Sequence, residues 1–157
     1  MIPRVNRFLL DRTQGEQYAT VFYCALDEAG LLRWVNAGHP PALRVRPSGE
    51  LEDLPASGPP LGMLEEAAWT VEHTQLEPGD QLVIYTDGLA EACNAEGEFF
   101  FRKRLRPLLR ARAGDSCRDL RDALVAAVRE FTEDAPPHDD ITLLVLELSA
   151  DRDTVRV

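Results

Sequence analysis

Gln81-Leu82-Val83-Ile84-Tyr85-Thr86-Asp87-Gly88 and Asp139-Asp140-Ile141-Thr142-Leu143-Leu144-Val145-Leu146 are the two stretches that decide the fold. Each is an apolar run rich in β-branched residues and of strand length. Each carries carboxylates at one tip, after the run in the first case and before it in the second. Strands that end this way present hard oxygen donors at the rim of a sheet, the chemistry that suits Mg²⁺ and Mn²⁺.

Outward from these runs the chain reads as antiparallel sheet with short connections. Residues 4–11 are predicted helical, with Val5, Phe8 and Leu9 on one face. Tyr18 to Leu26 and Leu31 to Ala37 form a hairpin around Asp27-Glu28-Ala29-Gly30, and Ala42 to Arg46 with Glu50 to Leu54 form a second around Pro47-Ser48-Gly49. Residues 56–66 lack a period and read as loop. Trp69, Val71 and His73 alternate with polar residues as in a partly exposed strand, and Glu77-Pro78-Gly79-Asp80 turns the chain into the Asp87 strand. A basic helix is expected within 101–112, where Pro107 kinks it or places its start nearby. A second helix, about 116–132, has Leu120, Leu124, Val128 and Phe131 as its apolar stripe and Ser116 with Asp119 at its cap. Pro136-Pro137 ends that segment.

The chain has 157 residues, enough for one domain with a real core. Its net charge of −10, from 17 basic and 27 acidic residues, argues against nucleic acid as a partner. No apolar stretch is long enough to span a bilayer, and the first ten residues are too interrupted for a signal peptide, so the expected location is cytoplasmic with no membrane partner. Cys24, Cys93 and Cys117 are odd in number and lack a Cys-x-x-Cys pair, which argues against a disulfide framework or a zinc site.

Three places carry candidate chemistry. Asp87 stands where a strand stops, with Gly88 letting the backbone turn; an ordinary turn accounts for this pair equally well. An EF-hand does not, because Leu89 and Ala92 occupy positions that need a ligand and a glycine. In His138-Asp139-Asp140-Ile141-Thr142, consecutive side chains of a strand point to opposite faces, so one aspartate at most serves a given metal centre. A charged pair guarding a hydrophobic strand is the alternative. In Asn36-Ala37-Gly38-His39-Pro40-Pro41, a glycine and stiff prolines hold His39 in one orientation, for acid–base work or simply to brace its loop.

Asn36-Ala37-Gly38-His39-Pro40-Pro41, Pro60-Leu61-Gly62, Leu76-x-x-Gly79-Asp80-x-Leu82, Tyr85-Thr86-Asp87-Gly88-Leu89-x-Glu91-Ala92 and Asp139-Asp140-Ile141-Thr142 occur in one order. That order resembles bacterial PPM-type protein phosphatases, in particular the SpoIIE/RsbU subgroup, from about Asn6 to Leu148. The resemblance implies an α+β fold, an αββα sandwich of two antiparallel sheets flanked by helices, with a phosphatase domain over 1–150 and a tail over 151–157. It implies a metal-dependent phosphoserine/phosphothreonine phosphatase in which two Mn²⁺ or Mg²⁺ ions activate a water. By that resemblance Asp87 and Asp139 are metal ligands and catalytic, Gly88 lends a backbone carbonyl or a water near the metal, and Asp140 and His39 are supporting or loop-positioning residues. The implied partner is a phosphoprotein substrate such as an anti-sigma-factor antagonist.

The family carries two further metal-binding aspartates on earlier strands, and nothing in residues 1–35 resembles those motifs. The expectation is therefore an N-terminally truncated domain, weak or inactive alone, whose open sheet edges favour a homodimer or completion by another polypeptide. A non-catalytic binding or dimerisation module in signalling is the alternative function, with the basic stretch Arg102–Arg112 docking a phosphorylated or acidic partner or merely forming a solvated face. An unrelated small β-rich binding protein is the third reading.

Overall fold

The computed structural model describes residues 1–133, 139–149 and 155–156. Their elements run α1 (Ile2–Thr13), β1 (Val21–Leu26), β2 (Leu31–Ala37), β3 (Ala42–Val45), β4 (Leu51–Leu54), β5 (Glu72–Gln75), β6 (Gln81–Tyr85), α2 (Asp87–Ala90), a π-helical turn (Phe101–Leu105), α3 (Arg106–Ala111), α4 (Cys117–Thr132), β7 (Leu143–Leu148) and β8 (Val155–Arg156). They build two antiparallel sheets with accompanying helices, as the α+β expectation requires. Pro136-Pro137 and His138 lie outside the described residues.

The chain divides into two compact units, Met1–Pro41 with Leu54–Leu76, and Ala42–Asp53 with Glu77–Val157. The first holds the sheet β1-β2-β5 and α1. Its first hairpin closes as the sequence requires: Gly30 has φ +83°, and Asp27 Oδ1 accepts the amides of Ala29 and Leu31. The strand expected over Trp69–His73 starts only at Glu72. Trp69 instead donates its indole N–H to Pro59 O at 2.7 Å.

Helix α1 turns only part of the predicted face inward: Leu9 packs against the core, but Val5 and Phe8 do not. Ile2 and Asn6 are buried, whereas Val5 and Phe8 are 39% and 57% exposed. The reason is a polar anchor. Asn6 accepts the Gly62 amide at 2.7 Å and donates to Leu64 O at 2.9 Å, which fixes the rotation of the helix.

The second unit is built on the sheet β4-β3-β6-β7-β8, with Val83 opposite Leu43 on one side and Val145 on the other. One face of β3, β6 and β7 (Leu43, Val45, Val83, Tyr85, Val145) packs into a single apolar cluster with Leu105 and Leu109 and with Leu120, Leu124, Val128 and Phe131. The last four are the predicted stripe of α4, and Ser116 caps that helix by accepting the Asp119 amide. Pro107 does not open a separate helix: α3 continues directly from the π-helical turn Phe101–Leu105, with Leu105 and Arg106 both in right-handed helical backbone, so the proline lies where the helix changes from π to α geometry. No helix among the described residues is long and apolar enough to cross a membrane.

Two strand boundaries differ from expectation. Strand β6 ends at Tyr85, and Asp87 opens the short helix α2. Strand β7 begins at Leu143, so Asp139 to Thr142 are not in a strand, and the alternation of faces assigned to Asp139 and Asp140 does not apply.

Candidate functional site

Thr86 is the residue that assembles the candidate site in the second unit. Its amide donates to Thr142 O at 3.0 Å. Its hydroxyl accepts the Thr142 amide at 2.9 Å and donates to Asp140 O at 3.1 Å. A side chain thus takes the place of a ladder partner, which is why the chain from Asp139 to Thr142 leaves strand geometry. Residues 86–88 and 139–142 are consequently fastened side by side.

Gly88 closes the same junction by having no side chain. A Cβ there would lie 2.5 Å from Asp140 O and 3.2 Å from Asp139 O. Its role is close approach of backbone rather than a left-handed turn, since it is not among the positive-φ glycines. Asp87 and Asp139 are exposed, and each commits one carboxylate oxygen to the following amide: Asp87 Oδ1 to Gly88 N at 3.0 Å, Asp139 Oδ1 to Asp140 N at 2.7 Å. Those bonds orient both carboxylates at the site. Asp140 supports the junction through its main-chain carbonyl.

In the core cluster of the same unit, Tyr85 is buried and its hydroxyl has no partner among the described residues. Burial pushes this phenol well above its usual range, so it stays neutral in the core. The turn into β6 is held by an ion pair that the sequence reading missed. Arg44, inside β3, donates through Nε and Nη2 to Asp80 Oδ2, which also accepts the Glu77 amide at 2.8 Å. Both side chains are nearly inaccessible, at 5% and 2%. An arginine in a strand whose other residues are apolar, with an aspartate in the turn ahead of the next strand, was the available signal.

His39 belongs to the other unit. Its amide donates to Asn36 Oδ1 at 2.8 Å, and its Nδ1 lies 2.9 Å from Pro40 O, a contact that places the ring proton on Nδ1. Asn36 is fully buried and also donates to Leu54 O at 3.3 Å. The Asn36–Pro41 motif is therefore built as a braced loop. In the basic stretch after Phe100, Lys103 pairs with Glu98, Arg106 with Asp53 and Arg112 with Asp115, so these three cations already have acidic partners.

Comparison with known proteins bears on the family and the fold. The family model for stage II sporulation protein E (SpoIIE) matches residues 1–149. Protein IcfG of Synechocystis sp. is 30% identical over 130 residues, which are 82% of this chain and 20% of that protein. The phosphoserine phosphatase RsbU of Bacillus subtilis is 26% identical over 148 residues, 93% of this chain and 44% of that protein. The chain thus spans less than half the length of either relative. In fold, it resembles the phosphatase domain of the cell fate determinant SpoIIE from Bacillus subtilis, presoaked with Mn, with a TM-score of 0.71 at 21% identity over 96% of this chain and 66% of that one. A match running through nearly every residue from α1 to β7, on the fold of that phosphatase domain, shows that the chain belongs to the SpoIIE family of PPM-type protein phosphatases.

Proposed function

We propose that the chain acts on phosphoserine or phosphothreonine in a protein substrate, with Asp87 and Asp139 as its metal-ligating carboxylates. One observation carries this reading: Thr86 and Gly88 lock the segment bearing Asp87 against the segment bearing Asp139 and Asp140. An ordinary turn needs no such junction between residues distant in sequence. Family membership supports phosphate-ester hydrolysis, and an anti-sigma-factor antagonist is the substrate class to test first.

Two exposed carboxylates fit a single hard cation, since Mg²⁺ is commonly held by one or two carboxylates with water in its remaining positions. They do not make up the donor set of a two-ion centre. Among the described residues no group of three His, Cys, Asp or Glu side chains converges as metal ligands would. A bound cation would supply Lewis acidity and a more acidic water. The chain's own residues orient the two carboxylates through the amides of Gly88 and Asp140, and the close backbone approach at Gly88 holds their segments together.

The incomplete donor set favours slow turnover by this chain alone, and it also keeps a non-catalytic binding role as the second reading. Calorimetric titration with Mn²⁺ and hydrolysis of p-nitrophenyl phosphate separate the two. Mn²⁺ binding and slow hydrolysis, both lost in Asp87→Ala and Asp139→Ala, are the expected result. Binding and hydrolysis unchanged in both variants would overturn the site assignment, and absence of Mn²⁺ binding in the parent chain would favour the binding role.

A further inference from the structure

Asp87 begins a helix of only four residues, Asp87-Gly88-Leu89-Ala90. A helix this short cannot hold itself, so its direction is set by what grips its two ends. Leu89 is its one large side chain and is fully buried in the apolar cluster of the second unit. A single anchor of that kind fixes the depth of the helix but leaves it free to turn. The junction through Thr86 and Gly88 grips the near end.

A separate device grips the far end. Ala92, two residues past α2, is buried, and its carbonyl accepts the Phe100 amide at 2.8 Å. Phe100 is itself fully buried and stands edge-on to Phe131 of α4, with ring centres 5.6 Å apart. Between Ala92 and Phe100 the chain turns back as a small hairpin in which Cys93 pairs with Phe99. Asn94 closes that hairpin. Its amide donates to Glu98 O at 3.2 Å, its carbonyl accepts the Gly97 amide at 3.0 Å, and its Oδ1 accepts the Glu98 amide at 2.8 Å. Its Nδ2 donates to the exposed Glu96 carboxylate. The hairpin's outer tie, Glu98 to Lys103 in the π-helical turn, is largely exposed and adds little.

We propose that Asn94 is a positioning residue for Asp87. By closing the hairpin it keeps Ala92 on Phe100, and so holds α2 at the rotation that turns the Asp87 carboxylate toward the Asp139 segment. The proposal rests on the reading of Asp87 as a metal ligand. The plain alternative is a local turn that bears nothing on α2. It predicts that losing Oδ1 loosens residues 94–98 alone.

Hydrogen exchange of the full chain without metal, resolved by NMR, distinguishes the two. In α2 the Leu89 amide is bonded to Thr86 O and the Glu91 amide to Asp87 O. Asn94→Ala should lower the protection of both about fivefold, the net effect of one hydrogen bond, and leave the β6–β7 ladder unchanged. Asn94→Asp made together with Glu96→Gln keeps the Oδ1 acceptor at unchanged net charge and should restore most of that protection. In calorimetric titration, Mn²⁺ affinity should fall in Asn94→Ala and recover in the double variant. Loosening confined to residues 94–98 or spread equally over the β6–β7 ladder, absence of recovery in the double variant, or unchanged Mn²⁺ affinity in Asn94→Ala would each overturn the proposal. Failure of the parent chain to bind Mn²⁺ would instead overturn the ligand reading of Asp87, and the exchange data would still show whether Asn94 holds α2.

Discussion

Gly88 and Thr86 do more to define the site than the carboxylates they flank. In Gly88→Ala the new Cβ meets main-chain oxygens, which cannot swing away as a flexible side chain would. The substitution should cost about 1–3 kcal/mol, the range for overpacking, and should weaken Mn²⁺ binding because the Asp139 segment is displaced. Urea unfolding and calorimetric titration measure the two effects. The sequence alone presents this glycine as a turn former. Its true constraint is contact with residues far along the chain, which no local pattern records. The Asp139–Thr142 segment was misread for the same reason, since its strand was cut short by a hydroxyl on another element.

At the scale of elements, the apolar rhythm was a reliable guide where packing is apolar. The α4 stripe and the β1–β2 hairpin follow from periodicity and turn chemistry. It failed in part on α1, where Asn6 rather than Phe8 decides which side faces inward. It also could not pair Arg44 with Asp80, because a buried ion pair leaves no periodic trace. Asp80→Ala leaves the Arg44 guanidinium buried beside one remaining partner, Glu52. Removing one member of a buried pair costs roughly 3–5 kcal/mol, read as a lowered urea midpoint. The Arg44→Met/Asp80→Leu double variant should recover most of that loss, because an apolar pair leaves no charge uncompensated.

For the whole molecule, 27 acidic residues against 17 basic ones create a self-repelling surface. Raising the ionic strength from about 0.01 M to 0.15 M shortens the screening length from roughly 30 Å to 8 Å. The melting temperature by scanning calorimetry should therefore rise over this range. Exposed ion pairs such as Arg7–Glu65 and Arg121–Asp122 contribute too little to reverse that trend. The family and the two-sheet class were legible because ordered motifs survive in sequence; the shared junction around Thr86 was not, because it is a property of tertiary contact. The division into units has a further consequence, for the order in which the molecule is made. Both pieces of the first unit have been synthesised once Leu76 is added, so its hairpin, helix and braced loop are free to settle early. Strand β6 reaches completion soon afterwards but waits for β7, which follows only after α4. Asp87 is thus translated well before its neighbour Asp139, and the candidate site closes only when the segment beyond α4 has emerged.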